Sequence, residues 1–568
     1  MRNKRKLLSV VAAVMAMVIA ASCAPTAGGG NEAAAAGGAG GGATAAGDVA
    51  TGQERRQIDG AWFPIVDEPI TITWFYELDA KSAVTMTSYS QIRAYQYVME
   101  LTNINIDFHH PPAGQATESF NLMMASGDLT DIVTRNFRTG FVGGAARAMS
   151  EGLILPLNDL MEEHAPNIWR FYQENPDLAR LAKTDEGTFY GFHTGNIELV
   201  PFSAGEPPPA FFTFGWQIRQ DWLDLLDLDV PETMSEWEHV LTRFRYDIDP
   251  LGDGTPIYPL VHIGNNISQW LRAWGYDFGN FSVVDGEVRF GPFQPEYYEF
   301  LTTMNRWYEA GLIEPDYVTF DGNQFDNRIL NDRAGAWTGA TSGTLGRLVQ
   351  LLALRESPAR LTGTVQPFVD GGRPFNFDGA AHFRIGALAH TISARSRFPV
   401  EITRLLDFGY GPYGHQLYNW GFENESFYID DNGEFWFTDY ITHNPNGLAL
   451  DDALMPFAPG GNDGPMFLSA TKWNRRMWMP EQREAVARWS VGSHERILPP
   501  VSFTPDESND VANIMSRVNT HRDEMLHRFI MGVTPLSEYD NYIAALEGMG
   551  IREAIEIHQR AYERFLQR

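Results

Sequence analysis

Residues 70–74 read Ile-Thr-Ile-Thr-Trp, with apolar and polar side chains alternating at the period of two that a half-buried strand requires. Beyond it, Ile92, Tyr95, Val98 and Met99 recur at helical spacing, and residues 104–108 (Ile-Asn-Ile-Asp-Phe) alternate again. Phe120 to Ala125 ends a second helix and Asp131-Ile132-Val133 is a third strand. Strand, helix, strand, helix, strand specifies right-handed βαβ units, a parallel sheet with helices on its faces, and so an α/β class. Ligands of such sheets sit beyond the carboxyl ends of the strands. That singles out Phe75-Tyr76-Glu77 and Arg135-Asn136-Phe137, with Tyr76 and Asn136 as binding candidates.

On the other side of this unit, order is expected to begin near Pro64. Residues 24–57 are mostly Gly and Ala, a composition that buries no core and reaches about 30 Å as a flexible leash. Before it, Arg2, Lys4, Arg5 and Lys6 precede an apolar run from Leu7 to Ala21 broken only by Ser9. The run is shorter than the ~20 apolar residues a membrane span needs, and reads as a secretory signal over residues 1–22. Cys23, the only cysteine, follows small residues and resembles the bacterial lipobox, although Ala20 stands where Leu is usual. The resemblance implies an acylated Cys23 that holds residues 23–57 and the body at the outer face of the cell membrane.

The 568 residues, 44% of them hydrophobic, are enough for more than one core and suggest two lobes. A formal charge of -29 repels nucleic acid and anionic lipid, so neither is expected as a partner. Farther along, residues 231–236 (Pro-Glu-Thr-Met-Ser-Glu) read as a helix start, with Thr233 as N-cap and Glu236 closing a capping box. Helices resume around Tyr297 to Ala310. Ile551, Ala554, Ile555, His558, Tyr562 and Phe565 share one helical face near the C-terminus.

Residues 124–131 (Met-Ala-Ser-Gly-Asp-Leu-Thr-Asp), 218–223 (Ile-Arg-Gln-Asp-Trp-Leu), 307–313 (Trp-Tyr-Glu-Ala-Gly-Leu-Ile), 529–532 (Phe-Ile-Met-Gly) and 559–564 (Gln-Arg-Ala-Tyr-Glu-Arg) follow one another over some 500 residues. In order and spacing they resemble the group 1 extracellular solute-binding proteins, in the long lipoprotein branch serving ABC importers of oligosaccharides. The resemblance implies a two-lobe, type II periplasmic-binding-protein-like fold with a hinge and a sugar-sized cleft between the lobes. It also implies a monomer that passes an oligosaccharide to ABC permease subunits. Crossings near residues 200, 370 and 450 would give one lobe residues 58–200 and 371–450, and the other residues 201–370 and 451–568. Thr130 stands where the family commonly has Pro. The family's calcium loop is degenerate here: in residues 249–254 Leu251 occupies a ligand position. Asp249 and Asp253 with one carbonyl fall short of the six to eight oxygens calcium takes, so no cofactor or metal is expected.

The chain carries no HExxH, GxSxG or Walker pattern, and no catalytic residues are assigned. Its 15 Trp, 21 Tyr and 36 Phe suit the flat C–H faces of pyranose rings, provided amides and carboxylates stand between them. By position, Trp337 and Trp473 resemble the family's sugar platforms, and Trp270 and Trp274 flank Arg272. Glu425 and Tyr428, after Trp420-Gly421, resemble a family turn. Core packing is the alternative for any single tryptophan and is favoured for Trp222, while Arg219 and Asp221 could tie their helix to its neighbour. The rival functions are a secreted carbohydrate-active enzyme and a binder of peptides or other solutes.

Overall fold

The structure, a computed structural model, describes residues 55–78, 82–138, 140–196, 214–249, 252, 254–377, 385–459 and 464–567, and every structural statement concerns these. The signal segment, Cys23, most of the leash and Asp253 lie outside them. Residues 53–568 form one compact unit. Order starts earlier than Pro64. Residues 56–58 pair antiparallel with 61–63 across Asp59-Gly60, whose φ angles of 50° and 84° are the left-handed pair of a two-residue hairpin turn. Asp59 Oδ2 accepts the backbone N–H of Tyr413 at 2.8 Å and fastens this hairpin to the body.

The chain lays down β1 (Ile70–Phe75), β2 (Ile104–His109), β3 (Ile132–Arg135) and β4 (Phe192–Asn196). It crosses to β5 (Phe214–Arg219), β6 (Tyr258–Val261), β7 (Ala334–Ala340) and β8 (Leu361–Gly363), then returns with β9 (Ile385–Ile392). A hairpin of β10 (Phe427–Ile429) and β11 (Phe435–Phe437) precedes β12 (Phe467–Leu468). One sheet has the order β12-β4-β9-β3-β1-β2 and the other β8-β5-β7-β6. The first is parallel except for β9, and the second is parallel except for β5. Each exception is the first strand after a crossing. Each of these crossings links the carboxyl edges of the two sheets, so the arriving strand runs against the other strands of its sheet.

Helices α1 (Arg93–Thr102) and α2 (Ala116–Ser126) link the first three strands. β1 meets β3 only at Trp74 and Phe75, so part of its edge needs other partners. The 124–131 motif supplies them: Asp131 Oδ2 accepts the N–H and hydroxyl of Thr73, both at 2.9 Å, and the Thr130 hydroxyl accepts Phe75 N–H at 3.1 Å. Thr130 therefore offers an acceptor that proline lacks. Helix α3 (Met234–Asp247) has the expected capping box, and α4 (Pro295–Glu309) follows the 3₁₀-helical stretch Gly264–Trp274.

The third crossing falls later than residue 450. β12 is a strand of the first sheet, and α5 (Ala470–Arg476) packs beside β11. The chain joins the second lobe only with α6 (Pro480–Trp489), which lies on β8. Residues 451–476 thus complete the first lobe, because β4 still has an open edge for β12 to fill. Residues 375–376, in turn, bridge to Ser493, so the second crossing completes after residue 370. Helices α7 (Pro505–Ile530) and α8 (Ile551–Gln567) close the chain.

One apolar cluster joins the first sheet's Trp74, Ile104 and Phe108 to Trp337, Leu345 and Leu348 on one face of the second. Another, built on Trp216, Trp237, Trp270 and Trp307, fills the opposite face of the second sheet. No described helix is long and apolar enough to cross a membrane.

Candidate ligand-binding site

A cavity of about 340 Å³ opens at the carboxyl edge of the second sheet, within the range of small-molecule sites. Phe214, Trp216, Phe377 and Trp489 give it aromatic walls; Asn266, Gln269, Gln366 and Asn376 give it carboxamides, with Arg272 and Gly215 completing the lining. Its position obeys strand-end logic. Gln366 follows β8, the segment 264–274 follows β6, and Phe214 opens the antiparallel β5, so all three emerge at the same edge.

Two glycines let Trp489 reach the sheet. A Cβ on Gly215 would lie 2.4 Å from the Trp489 ring, and one on Gly363 would lie 3.1 Å from its Nε1. With both absent, Trp489 Nε1–H donates to the Trp216 carbonyl at 2.9 Å, and the Trp489 carbonyl accepts Asn376 Nδ2–H at 2.8 Å. Trp216 Nε1–H donates to Gln366 Oε1 at 3.3 Å. That orients the Gln366 amide, whose Nε2 is buried and without a hydrogen-bond partner among the described residues. A buried N–H of this kind is stabilised when a ligand oxygen reaches it. Gly215→Ala is expected to push the Trp489 ring off β5, with about 1–3 kcal/mol lost to overpacking, seen as a lower thermal midpoint and a shifted tryptophan emission.

No family model matches the sequence. FusA, the fructooligosaccharide ABC transporter substrate-binding protein of Streptococcus pneumoniae serotype 4, is 22% identical over 537 residues, 90% of this chain and 93% of its own. Lipoprotein LipO of Bacillus subtilis is 24% identical over 233 residues, 39% of this chain and 42% of its own. Among solved structures, the alginate-binding protein AlgQ2 matches with a TM-score of 0.69 at 20% identity, over 88% of this chain and 99% of that one. FusA in complex with kestose matches at 0.67 and 18% identity, over 88% and 100%. The relatives and the fold match the extracellular solute-binding family.

Against that family, the expected platforms require correction. Trp337 is fully buried: it lies three residues short of the end of β7, edge-on to Phe325, and its Nε1–H donates to Gln217 Oε1 at 2.8 Å. Trp270 is buried among Trp216, Trp237 and Trp307, because a 3₁₀-helical rather than loop-like segment turns it inward. Tyr76 stacks on Trp74 and meets Tyr89 and His390 edge-on, and is buried. Trp473 is buried on α5 with the Arg476 guanidinium 4.5 Å from its ring. None of the four presents a ring face to solvent in this conformation.

The other candidates lie nearer the surface but do not line the cavity. Trp274 is half-buried against Phe300 and donates to Glu299 Oε2 at 3.1 Å. It is Arg272, between the two flanking tryptophans, that faces the cavity. Half-buried Asn136 follows β3 as expected, and its Oδ1 accepts the N–H of Arg138 at 3.1 Å. Glu425 is clasped by Arg93 at 2.5 and 3.0 Å, which holds its carboxyl below the usual range. Tyr428 stands exposed on the β10–β11 hairpin opposite Trp436. Asp249 is exposed and accepts the N–H of Gly254 at 3.3 Å. No cluster of three or more His, Cys, Asp or Glu side chains placed for a metal occurs among the described residues. Arg219 and Asp221 do tie their helix down: the guanidinium holds Asp221 at 2.7 Å and Asp332 at 2.6 Å, over the ring of buried Trp222.

Burial pushes His193, His262 and His390 down to about 3. Trp270 Nε1–H donates to His262 Nε2 at 2.9 Å, so that nitrogen must stay unprotonated. With the folded pKa below the unfolded value of about 6.5, the unfolded chain binds more protons between these limits. Stability contributed by neutral burial is therefore present above about pH 6.5 and lost as pH falls toward 3. Roughly 2 kcal/mol per histidine should disappear between about pH 6 and about pH 4, measurable by urea titrations at the two pH values.

Proposed function

We propose that this protein is the substrate-binding lipoprotein of an ABC importer, that it captures an oligosaccharide between its lobes, and that it delivers the sugar to the permease. The observation that carries the reading is the cavity lining, which combines four aromatic rings with four carboxamides. Flat apolar faces match the C–H faces of a sugar ring, and carboxamides, donor and acceptor at once, match its hydroxyls. The names of FusA and LipO support both the sugar and the lipoprotein parts. Acylated Cys23 and the leash after it would hold the body at the outer membrane face, and the protein would act as a monomer without chemistry of its own. A ligand gripped by both lobes favours the closed form, which is how binding would signal the permease.

The test is a thermal-shift screen of the purified protein with oligosaccharides. A ligand that binds only the folded state adds about 2.7 kcal/mol at a hundred times Kd. An upward shift with one sugar class and no new reducing ends is the expected result. New reducing ends would instead make the protein an enzyme, and no shift with any sugar would remove carbohydrate as the ligand. Radiolabelled palmitate incorporation, lost in Cys23→Ser, tests the anchor.

A further inference from the structure

Arg272 is the one charged side chain lining the cavity among the described residues. Its Nε and Nη2 both donate to Asp277 Oδ1 at 3.2 Å, and Asp277 is 8% exposed. The other carboxylate oxygen, Oδ2, accepts Asn280 Nδ2–H at 2.5 Å, which keeps the carboxylate in place. Asp277 stands behind Arg272, outside the lining. The cavity therefore shows a guanidinium edge whose charge is already matched. On the first sheet, the strand-end Arg135 is matched likewise, with Glu77 at 2.9 Å and Thr117 at 2.8 Å.

We infer that Asp277 sets the charge selectivity of the site: by pairing with Arg272 it makes the cavity a receptor for neutral oligosaccharides and disfavours uronate-bearing ones. This rests on the carbohydrate reading proposed above. A ligand carboxylate only accepts hydrogen bonds and needs an uncompensated cation once it leaves water. In this lining it would find carboxamide N–H donors, which carry no net charge, carboxamide oxygens, which also accept, and an arginine already held by a nearer carboxylate. A hydroxyl can donate to those oxygens and accept from the buried Gln366 Nε2–H. The acidic protein as a whole, at a formal -29, adds repulsion in the same direction.

Calorimetric titration of the full chain tests this with kestose, xylotriose and mannotriose as neutral probes, and trigalacturonate and trimannuronate as acidic ones. The wild type is expected to bind from the neutral set, with affinity nearly independent of salt. Asp277→Asn preserves shape and frees the guanidinium. Its affinity for the acidic probes is expected to rise about tenfold or more, in keeping with a charge-assisted hydrogen bond, and to fall again with added salt. Pairing it with Arg272→Gln should abolish the gain. Preference of the wild type for uronates overturns the inference and leaves the carbohydrate reading standing. A folded Asp277→Asn with unchanged uronate affinity, or a gain that survives removal of Arg272, overturns it too. Should that variant not fold, the wild-type comparison of neutral with acidic probes still decides. Failure of every probe to bind removes the carbohydrate reading, and this inference with it.

Discussion

Trp270→Ala is expected to destabilise the protein by about 3–5 kcal/mol, the range for truncating a fully buried tryptophan. Its ring stands 4.2 Å from that of Trp216, 5.1 Å from Trp237 and 5.0 Å from Trp307, centroid to centroid. Removing it leaves three large rings around a void and His262 Nε2 without its donor. Urea unfolding monitored by circular dichroism measures the loss. A change below about 1 kcal/mol would mean that the ring is not packed as described, and would restore Trp270 as a ligand platform. Trp337→Ala, equally buried, is expected to act in the same way.

Trp489→Ala has the largest effect expected on the ligand side: about 2 kcal/mol, or roughly thirtyfold weaker oligosaccharide binding, the scale of an aromatic hot spot. The ring is a cavity wall, and its Nε1–H donates to the backbone carbonyl of Trp216, whereas the bond from Asn376 goes to the backbone carbonyl of residue 489 and survives in alanine. Its loss widens the cavity and removes the indole donor from the Trp216 carbonyl. Calorimetry with whichever sugar shifts the thermal midpoint gives the number. Affinity unchanged in a folded Trp489→Ala protein would move the ligand out of this cavity.

The fold was legible because its signals are local. The alternation at residues 70–74 and 104–108, the capping box at Thr233 and the helical face from Ile551 to Phe565 each depend on neighbours in sequence, and each stands in the structure. The Asp59-Gly60 hairpin was equally local, but a compositional reading of the Gly/Ala-rich stretch passes over it. The site was not legible in the same way. Whether Trp270 or Arg272 faces the cavity depends on the rotation of a 3₁₀ segment, and burial of Trp337 depends on how far along β7 it stands. Trp216, Gln366, Asn376 and Trp489 come together from three distant stretches, with Gln366 and Asn376 in the same one. One local signal did exist: glycine beside an aromatic residue in the strand pattern Phe-Gly-Trp-Gln, residues 214–217, marks a close approach by another group.

The chain path between the sheets governs the order of synthesis. The first sheet waits for β12, at residues 467–468, and the second is not covered until α6, at 480–489, lies on β8. A nascent chain four-fifths made therefore lacks the last strand of the first sheet and the helix that covers the second, although all four strands of the second are made by residue 363. Long-range closure of this kind slows folding. It also means that any cut between residues 75 and 467 divides the strands of the first sheet between two fragments.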